Sequence, residues 1–161
     1  MSAQQCVAVG YLKLSGGGGI VPTEALVENW NGRDWTRSIL PGKLASAGIL
    51  NGITVLSGVA AYANLLQDVS CKATTCVAVG FEGSHPFAIM RRLGAWSETS
   101  APPARVGEPT FLLSVSCQAA TSCTATGFAE AAAGEDNDVE PVIEDWNGQR
   151  WTLTFAASSA G

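Results

Sequence analysis

Leu113-Ser-Val-Ser-Cys117, Cys123-Thr-Ala-Thr-Gly127 and Val142-Ile-Glu-Asp-Trp146-Asn-Gly-Gln-Arg-Trp151-Thr152 follow one another in the chain, and their reading decides the fold. Within the short segments, polar and apolar residues alternate as they do in half-buried strands. Two cysteines bracket the first connection, which suits a hairpin. Asn147-Gly148 marks a second hairpin, because both residue types tolerate positive φ. Trp146 and Trp151 should then face each other across the turn and cover the sheet. The stretch therefore reads as four antiparallel strands.

The same order recurs twice upstream. Cys6-Val-Ala-Val-Gly10 leads to Glu24-Ala-Leu-Val-Glu-Asn-Trp30-Asn-Gly-Arg-Asp-Trp35-Thr36. Leu66-Gln-Asp-Val-Ser-Cys71 and Cys76-Val-Ala-Val-Gly80 lead to Phe87-Ala-Ile-Met-Arg-Arg-Leu-Gly-Ala-Trp96. Cys76 and Cys123 lie 47 residues apart and Cys6 and Cys76 lie 70 apart, so the first connection carries roughly twenty extra residues. In copy two, Arg92, Leu93 and Gly94 stand where copy one has Trp30, Asn31 and Gly32. Its hairpin should be one residue shorter, tighter and more exposed. The chain divides into 1–36, an incomplete unit without its first strand; 37–64, an insertion with room for extra strands; 65–97, the second unit; and 98–161, a linker and the third unit.

Composition agrees with many short strands. Hydrophobic residues make up 47% and charged residues 14%, too few charges to solvate one face of every helix in a bundle, and 18 Gly with 7 Pro supply turns. Nine Lys and Arg against fourteen Asp and Glu leave a net charge of −5. No basic surface follows from that balance, so nucleic acid is not an expected partner. The first residues, Met1 to Cys6, lack the basic and apolar regions of a signal peptide. Leu44 to Leu66 is uncharged and long enough to cross a bilayer. Gly48, Asn51, Gly52, Ser57, Gly58 and Asn64 interrupt it, so it reads as buried strands and loops, not as a membrane span.

Repeats of this length with four strands each suit a β-propeller, whose blades are stable only when sandwiched between neighbours. The Val-Ser-Cys, Cys-x-Ala-Val-Gly and Trp-Asn-Gly-x-x-Trp units resemble those of a family of bacterial secreted repeat proteins of the kelch or galactose-oxidase-like general type. The resemblance covers most of the chain outside 37–64. It implies an extracellular, all-β, propeller-like array of about three four-stranded antiparallel blades, and it carries no catalytic residues across. Three blades are too few to close a ring.

Cys71 with Cys76 and Cys117 with Cys123 sit at the two ends of equivalent turns. Disulfides, reduced buried thiols and a zinc site are the competing readings. Zinc needs four ligands, and His85 is the one histidine in the chain. Disulfides are the preferred reading, each adding about 2 kcal/mol. They point to an oxidising compartment, hence an extracellular or cell-surface location. The partner of Cys6, by the same count, would fall at or before Met1. Cys6 is therefore expected to be unpaired, and the chain to be a fragment of a longer protein carrying further blades.

Candidate chemistry is sparse. Leu26, Glu28 and Trp30 share a strand face, and Val142, Glu144 and Trp146 repeat that order, with Met90 at the carboxylate position in copy two. Glu28 and Glu144 are thus weak catalytic candidates, more simply read as hydrogen-bond acceptors within the fold. His85 stands in a turn without a nucleophile beside it. Ser15 and Gly16 to Gly19 read as a hairpin connection, since no Lys-Ser or Lys-Thr follows as in a phosphate loop. Asp136, Asp138 and Glu140, beside Glu135 and Asn137, are weak calcium candidates and otherwise a solvated charge run. The loops between the second and third strands of each unit differ most in composition. They form the expected ligand-facing surface, with His85, Asp136, Asp138 and Glu140 on it. No cofactor is expected. The leading expectation is an extracellular binding or scaffold module for glycan or protein. The alternatives are part of a propeller-type enzyme acting on polysaccharide, whose two carboxylates must approach within about 5 to 10 Å, and a truncated gene product without independent function.

Overall fold

The computed structural model describes residues 5–13, 23–40, 65–105, 107–130 and 139–155. Among them the chain is all-β, with eleven antiparallel strands in three sheets and no helix. Sheet 1 holds β1 (Cys6–Lys13), β2 (Thr23–Trp30) and β3 (Trp35–Arg37). In sheet 2, β4 (Leu65–Lys72), β5 (Thr75–Glu82), β6 (His85–Arg92) and β7 (Ala95–Thr99) follow in chain order. Sheet 3 does the same with β8 (Thr110–Ala119), β9 (Ser122–Glu130), β10 (Val139–Trp146) and β11 (Trp151–Phe155). No helix among the described residues is long and apolar enough to cross a membrane. Most of the uncharged stretch from Leu44 to Leu66 lies outside the described residues.

One register runs through all three sheets. Cys6 pairs with Trp30, Cys76 with Arg91 and Cys123 with Trp146. Trp30 then pairs with Trp35, Arg91 with Trp96 and Trp146 with Trp151. Arg91 therefore takes the place of the first tryptophan in sheet 2, and Arg92 does not. Ile89, opposite Ala78, occupies the place of Glu28 and Glu144, and Met90 points to the other face. The loop of copy two is not one residue shorter. It adds one more strand pair, Arg92 with Ala95, and closes through Leu93 and Gly94 at φ 50° and 87°. Two successive positive φ values give the tight primed turn whose twist matches the strands, and Leu93 projects into solvent, 99% exposed.

The Trp-Asn-Gly turns work differently from the simple two-residue hairpin expected. Among the described non-glycine residues only Ala73 and Leu93 have positive φ, so the asparagines do not. The Asn31 Oδ1 instead accepts the N–H groups of Arg33 and Asp34 at 2.8 and 2.9 Å, and only Gly32 takes positive φ, at 102°. Asn147 repeats this with Gln149 and Arg150, both at 3.0 Å, and Gly148 at φ 95°. The amide side chain replaces backbone partners the turn would otherwise leave unmet. The paired indoles lie 5.5 Å apart at Trp30–Trp35 and 5.6 Å apart at Trp146–Trp151, both tilted.

The glycine ending each Cys-x-Ala-x-Gly segment has a steric cause in sheets 2 and 3. A β-carbon on Gly80 would overlap the Leu65 carbonyl oxygen and stand 2.9 Å from the Leu66 Cα. On Gly127 it would overlap the Phe111 carbonyl oxygen and stand 3.0 Å from the Leu112 Cα. Both glycines sit beside a bulge, between Leu66 and Asp68 or between Leu112 and Ser114, where the first strand bends over its neighbour. Gly10 has the same place in β1, and a β-carbon there would meet nothing within 4 Å.

The sheets stack through unlike faces. Val7, Val9, Ala25 and Val27 of sheet 1 pack with Cys76, Ala78, Ile89 and Trp96 of sheet 2. Val77, Val79, Ala88 and Met90, the opposite face of sheet 2, pack with Cys123, Ala125, Val142, Trp146 and Trp151 of sheet 3. Each interface thus sets a Val-x-Val face against a Cys-x-Ala and Trp face. Burying a residue such as Ile89 there contributes about 1.5 to 3 kcal/mol. The first strands also meet sideways: Asp68 Oδ2 accepts Val115 N–H at 2.8 Å and the Ser114 hydroxyl at 2.7 Å, and Ser70 Oγ accepts Cys117 N–H at 3.0 Å. Phe111 stands edge-on to Phe81 and tilted to Phe128 at the other end.

Cys71 is bonded to Cys76 and Cys117 to Cys123, across facing positions of the two cysteine hairpins. Cys6 is free and exposed. Thiol titration of unfolded, unreduced protein should therefore find one reactive thiol per chain, removed by Cys6→Ser; five thiols would contradict the pairing.

Candidate functional site

The carboxylates singled out from sequence do not come together. Glu28 lies on sheet 1 and Glu144 on sheet 3, with sheet 2 packed between them. Glu144 is wholly buried, and neither of its oxygens has a hydrogen-bond partner among the described residues. Burial pushes its pKa from 4.5 up to about 8, because a desolvated carboxylate is disfavoured against the acid. Glu28, at the same register position, is only half-buried. Among the described residues, Glu144 thus accepts none of the hydrogen bonds from neighbouring loops that the sequence suggested.

The expected ligand-facing loops are only partly described. His85 opens β6 and is exposed, next to the two-residue turn of Gly83 and Ser84 rather than in a long loop. Glu140 is held by Arg105 at 3.0 Å, a half-exposed ion pair. Asp136 and Asp138, like Glu135, Asn137 and the stretch from Ser15 to Gly19, lie outside the described residues. No group of three or more metal-ligating side chains occurs among the described residues.

An open cleft lies at the opposite end, between sheets 1 and 2. It has a volume of about 510 Å³ and is lined by Asn29, Arg37, Ser38, Ile39, Leu40 and Trp96, together with the Gly94–Ala95 turn. A second open depression, bounded by Gln5, Ala73, Thr74, Cys76 and Arg91, shares that turn. Arg91, which lines the second depression, marks a difference legible in sequence. In sheet 3, Trp146 fills the gap beside Trp151, whereas sheet 2 has the thinner Arg91 beside Trp96. The Arg91 guanidinium reaches across to Asn29 Oδ1 at 2.9 Å, and Asn29 donates to Ser38 Oγ at 2.5 Å. The Trp96 indole N–H is buried without a partner among the described residues. Ile39 and Leu93 stand at the rim, almost fully exposed.

This arrangement offers hydrogen-bond donors beside apolar surface. A guanidinium offers five donors in a planar fork, and Asn29 occupies one side of it. No nucleophile stands beside a base among the described residues that line the cleft. Sequence reading missed the cleft because it aligned Gly94 with Gly32 and so moved Arg92, rather than Arg91, onto the tryptophan position. The usable signal was the missing tryptophan itself. Comparison with known proteins finds no matching family model, no matching curated protein and no matching solved structure.

Proposed function

We propose that the chain is an extracellular, propeller-like binding module built of repeated units, and that the cleft beside Arg91 takes an anionic, carboxylate-bearing glycan. One observation carries the reading: between the cleft and the adjoining depression, an arginine bonded to Asn29 stands where the other two sheets have a tryptophan. Three features support the wider frame. Stacking of unlike faces lets one sheet follow another in the same sense, as blades do around an axis. Two disulfides fit an oxidising compartment. Carboxylates separated by a whole sheet argue against glycoside hydrolysis, which needs a facing pair.

The test is binding of neutral and uronic-acid-bearing oligosaccharides to the immobilised protein. Acidic oligosaccharides should bind and their neutral counterparts should not. Arg91→Ala should weaken binding about 10- to 100-fold, as expected for losing a charged hydrogen bond. Binding unaffected by Arg91→Ala, or a preference for neutral glycans, would overturn the proposal.

A further inference from the structure

The outer edge of β1 differs from its counterparts in three respects that have one explanation. No strand pairs with that edge among the described residues, whereas β5 is covered by β4 and β9 by β8. Gly10 has nothing within 4 Å of the place a β-carbon would take, whereas the same notch at Gly80 and Gly127 receives the backbone of a crossing strand. Cys6 is a free, exposed thiol, whereas Cys76 and Cys123, in its register position, are bonded to the last cysteine of that strand. Edge, notch and thiol lie along one side of β1, spaced as they are along β5 and β9.

We infer that the β1 edge is an acceptor site for a β-strand of the Leu-x-x-Val-Ser-Cys type supplied from outside these 161 residues, which pairs along β1, lays its bend over Gly10 and joins its cysteine to Cys6. The donor lies outside these residues because Leu66-x-x-Val-Ser-Cys71 and Leu112-x-x-Val-Ser-Cys117 are the two segments of this pattern among them, and both are already paired. The other four cysteines are bonded to each other. Strand addition at an open edge supplies affinity through main-chain hydrogen bonds, and the glycine notch supplies selectivity. The covalent step is thiol–disulfide exchange. The Cys6 thiolate attacks the donor sulfur of a donor–glutathione disulfide, the new S–S bond forms, and glutathione leaves as its thiolate. The donor disulfide is the oxidant, so no other is needed. The inference rests on the edge, notch and thiol of β1 and stands whether or not the cleft beside Arg91 binds glycan.

The test uses the 161-residue chain and the peptide Leu-Leu-Gln-Asp-Val-Ser-Cys-Lys, carried as its glutathione disulfide, against a scrambled peptide with its cysteine in the same place. Mass spectrometry follows the mixed disulfide at Cys6. The strand peptide should react at least about tenfold faster, since docking raises the local concentration of its disulfide. Gly10→Ala should abolish that advantage, because its β-carbon fills the notch, while reaction with glutathione disulfide alone stays unchanged. A Ser version of the peptide, unable to cross-link, should still slow hydrogen exchange of β1 amides. Equal rates for the two peptides, or an advantage that survives Gly10→Ala, would overturn the inference. So would a β1 edge already covered by a second copy of the chain, seen as a dimer that excludes the peptide.

Discussion

Gly127→Ala should destabilise the protein by about 3 kcal/mol or more, a fall of roughly 10 °C in the unfolding midpoint, whereas Gly10→Ala should change stability by less than about 0.5 kcal/mol. The residues occupy the same place in the same short motif. Only their neighbours differ. At Gly127 an added methyl must push aside the Phe111 carbonyl and the Leu112 Cα, both backbone atoms fixed in the β8–β9 ladder. Relief would require breaking that pairing, which also buries Leu112 and anchors Cys117. At Gly10 the added atom meets none of the described residues within 4 Å. Gly80→Ala should behave like Gly127→Ala, because Leu65 crosses it in the same way. Urea denaturation of the three variants under one set of conditions is sufficient. Equal losses at all three sites would mean that the motif glycine acts through β1, β5 and β9 themselves, not through a crossing strand.

Glu144 should make the protein less stable as the solution becomes more alkaline. Its folded pKa of about 8 exceeds the unfolded value near 4.5. Between those values the folded state holds the proton that the unfolded state has released, so stability falls with each unit of pH. Below pH 4.5 both states are protonated and there is no penalty. Above pH 8 both are ionised and the penalty is complete, on the order of 5 kcal/mol. The decisive quantity is the difference between wild type and Glu144→Gln, because exposed carboxylates titrate in both and cancel. That difference should grow from pH 5 to pH 9 in favour of the variant. Glu144→Leu should show the same trend, as an apolar side chain avoids burying an ionised group. A difference that does not vary with pH would show that Glu144 is solvated or paired in the folded protein.

The sequence was most legible where a side chain governs its own backbone. The cysteine hairpins and the Trp-Asn-Gly turns were placed correctly because Cys71, Cys76, Asn147 and Gly148 act within a few residues of themselves. Even there, the mechanism differed, since the asparagines cap the turn through Oδ1 instead of adopting positive φ. Register in sheet 2 was misplaced by one because a glycine match outweighed the strand pattern. In a strand, a one-residue slip exchanges the two faces, so it put Met90 where Ile89 belongs and hid the role of Arg91. The surroundings of the candidate carboxylates were illegible for another reason. Glu28 and Glu144 have nearly the same local sequence and opposite surroundings. Sheet 2 covers the face bearing Glu144, while the face bearing Glu28, Trp30 and Trp35 has no neighbouring sheet among the described residues. Local periodicity cannot report which face another sheet will cover.

The polarity of the two end faces follows the same logic. Where Val7 and Val9, or Val77 and Val79, face a neighbour, sheet 3 carries Thr124 and Thr126, both exposed, and Thr124 donates to Asp145 at 2.6 Å. Sheet 3 therefore presents a polar face, whereas sheet 1 presents indoles and a thiol. This asymmetry gives the stack a direction and leaves sheet 1 the more reactive end.

The central claim is that each sheet sets its Val-x-Val face against the Cys-x-Ala and Trp face of the next. Methyl NOE spectroscopy measures this directly. Cross-peaks should link Val77, Val79 and Met90 with Ala125 and Val142, and Val9 and Val27 with Ala78 and Ile89. Cross-peaks from Ala125 or Val142 to Ala78 or Ile89 would place like faces together and contradict the account.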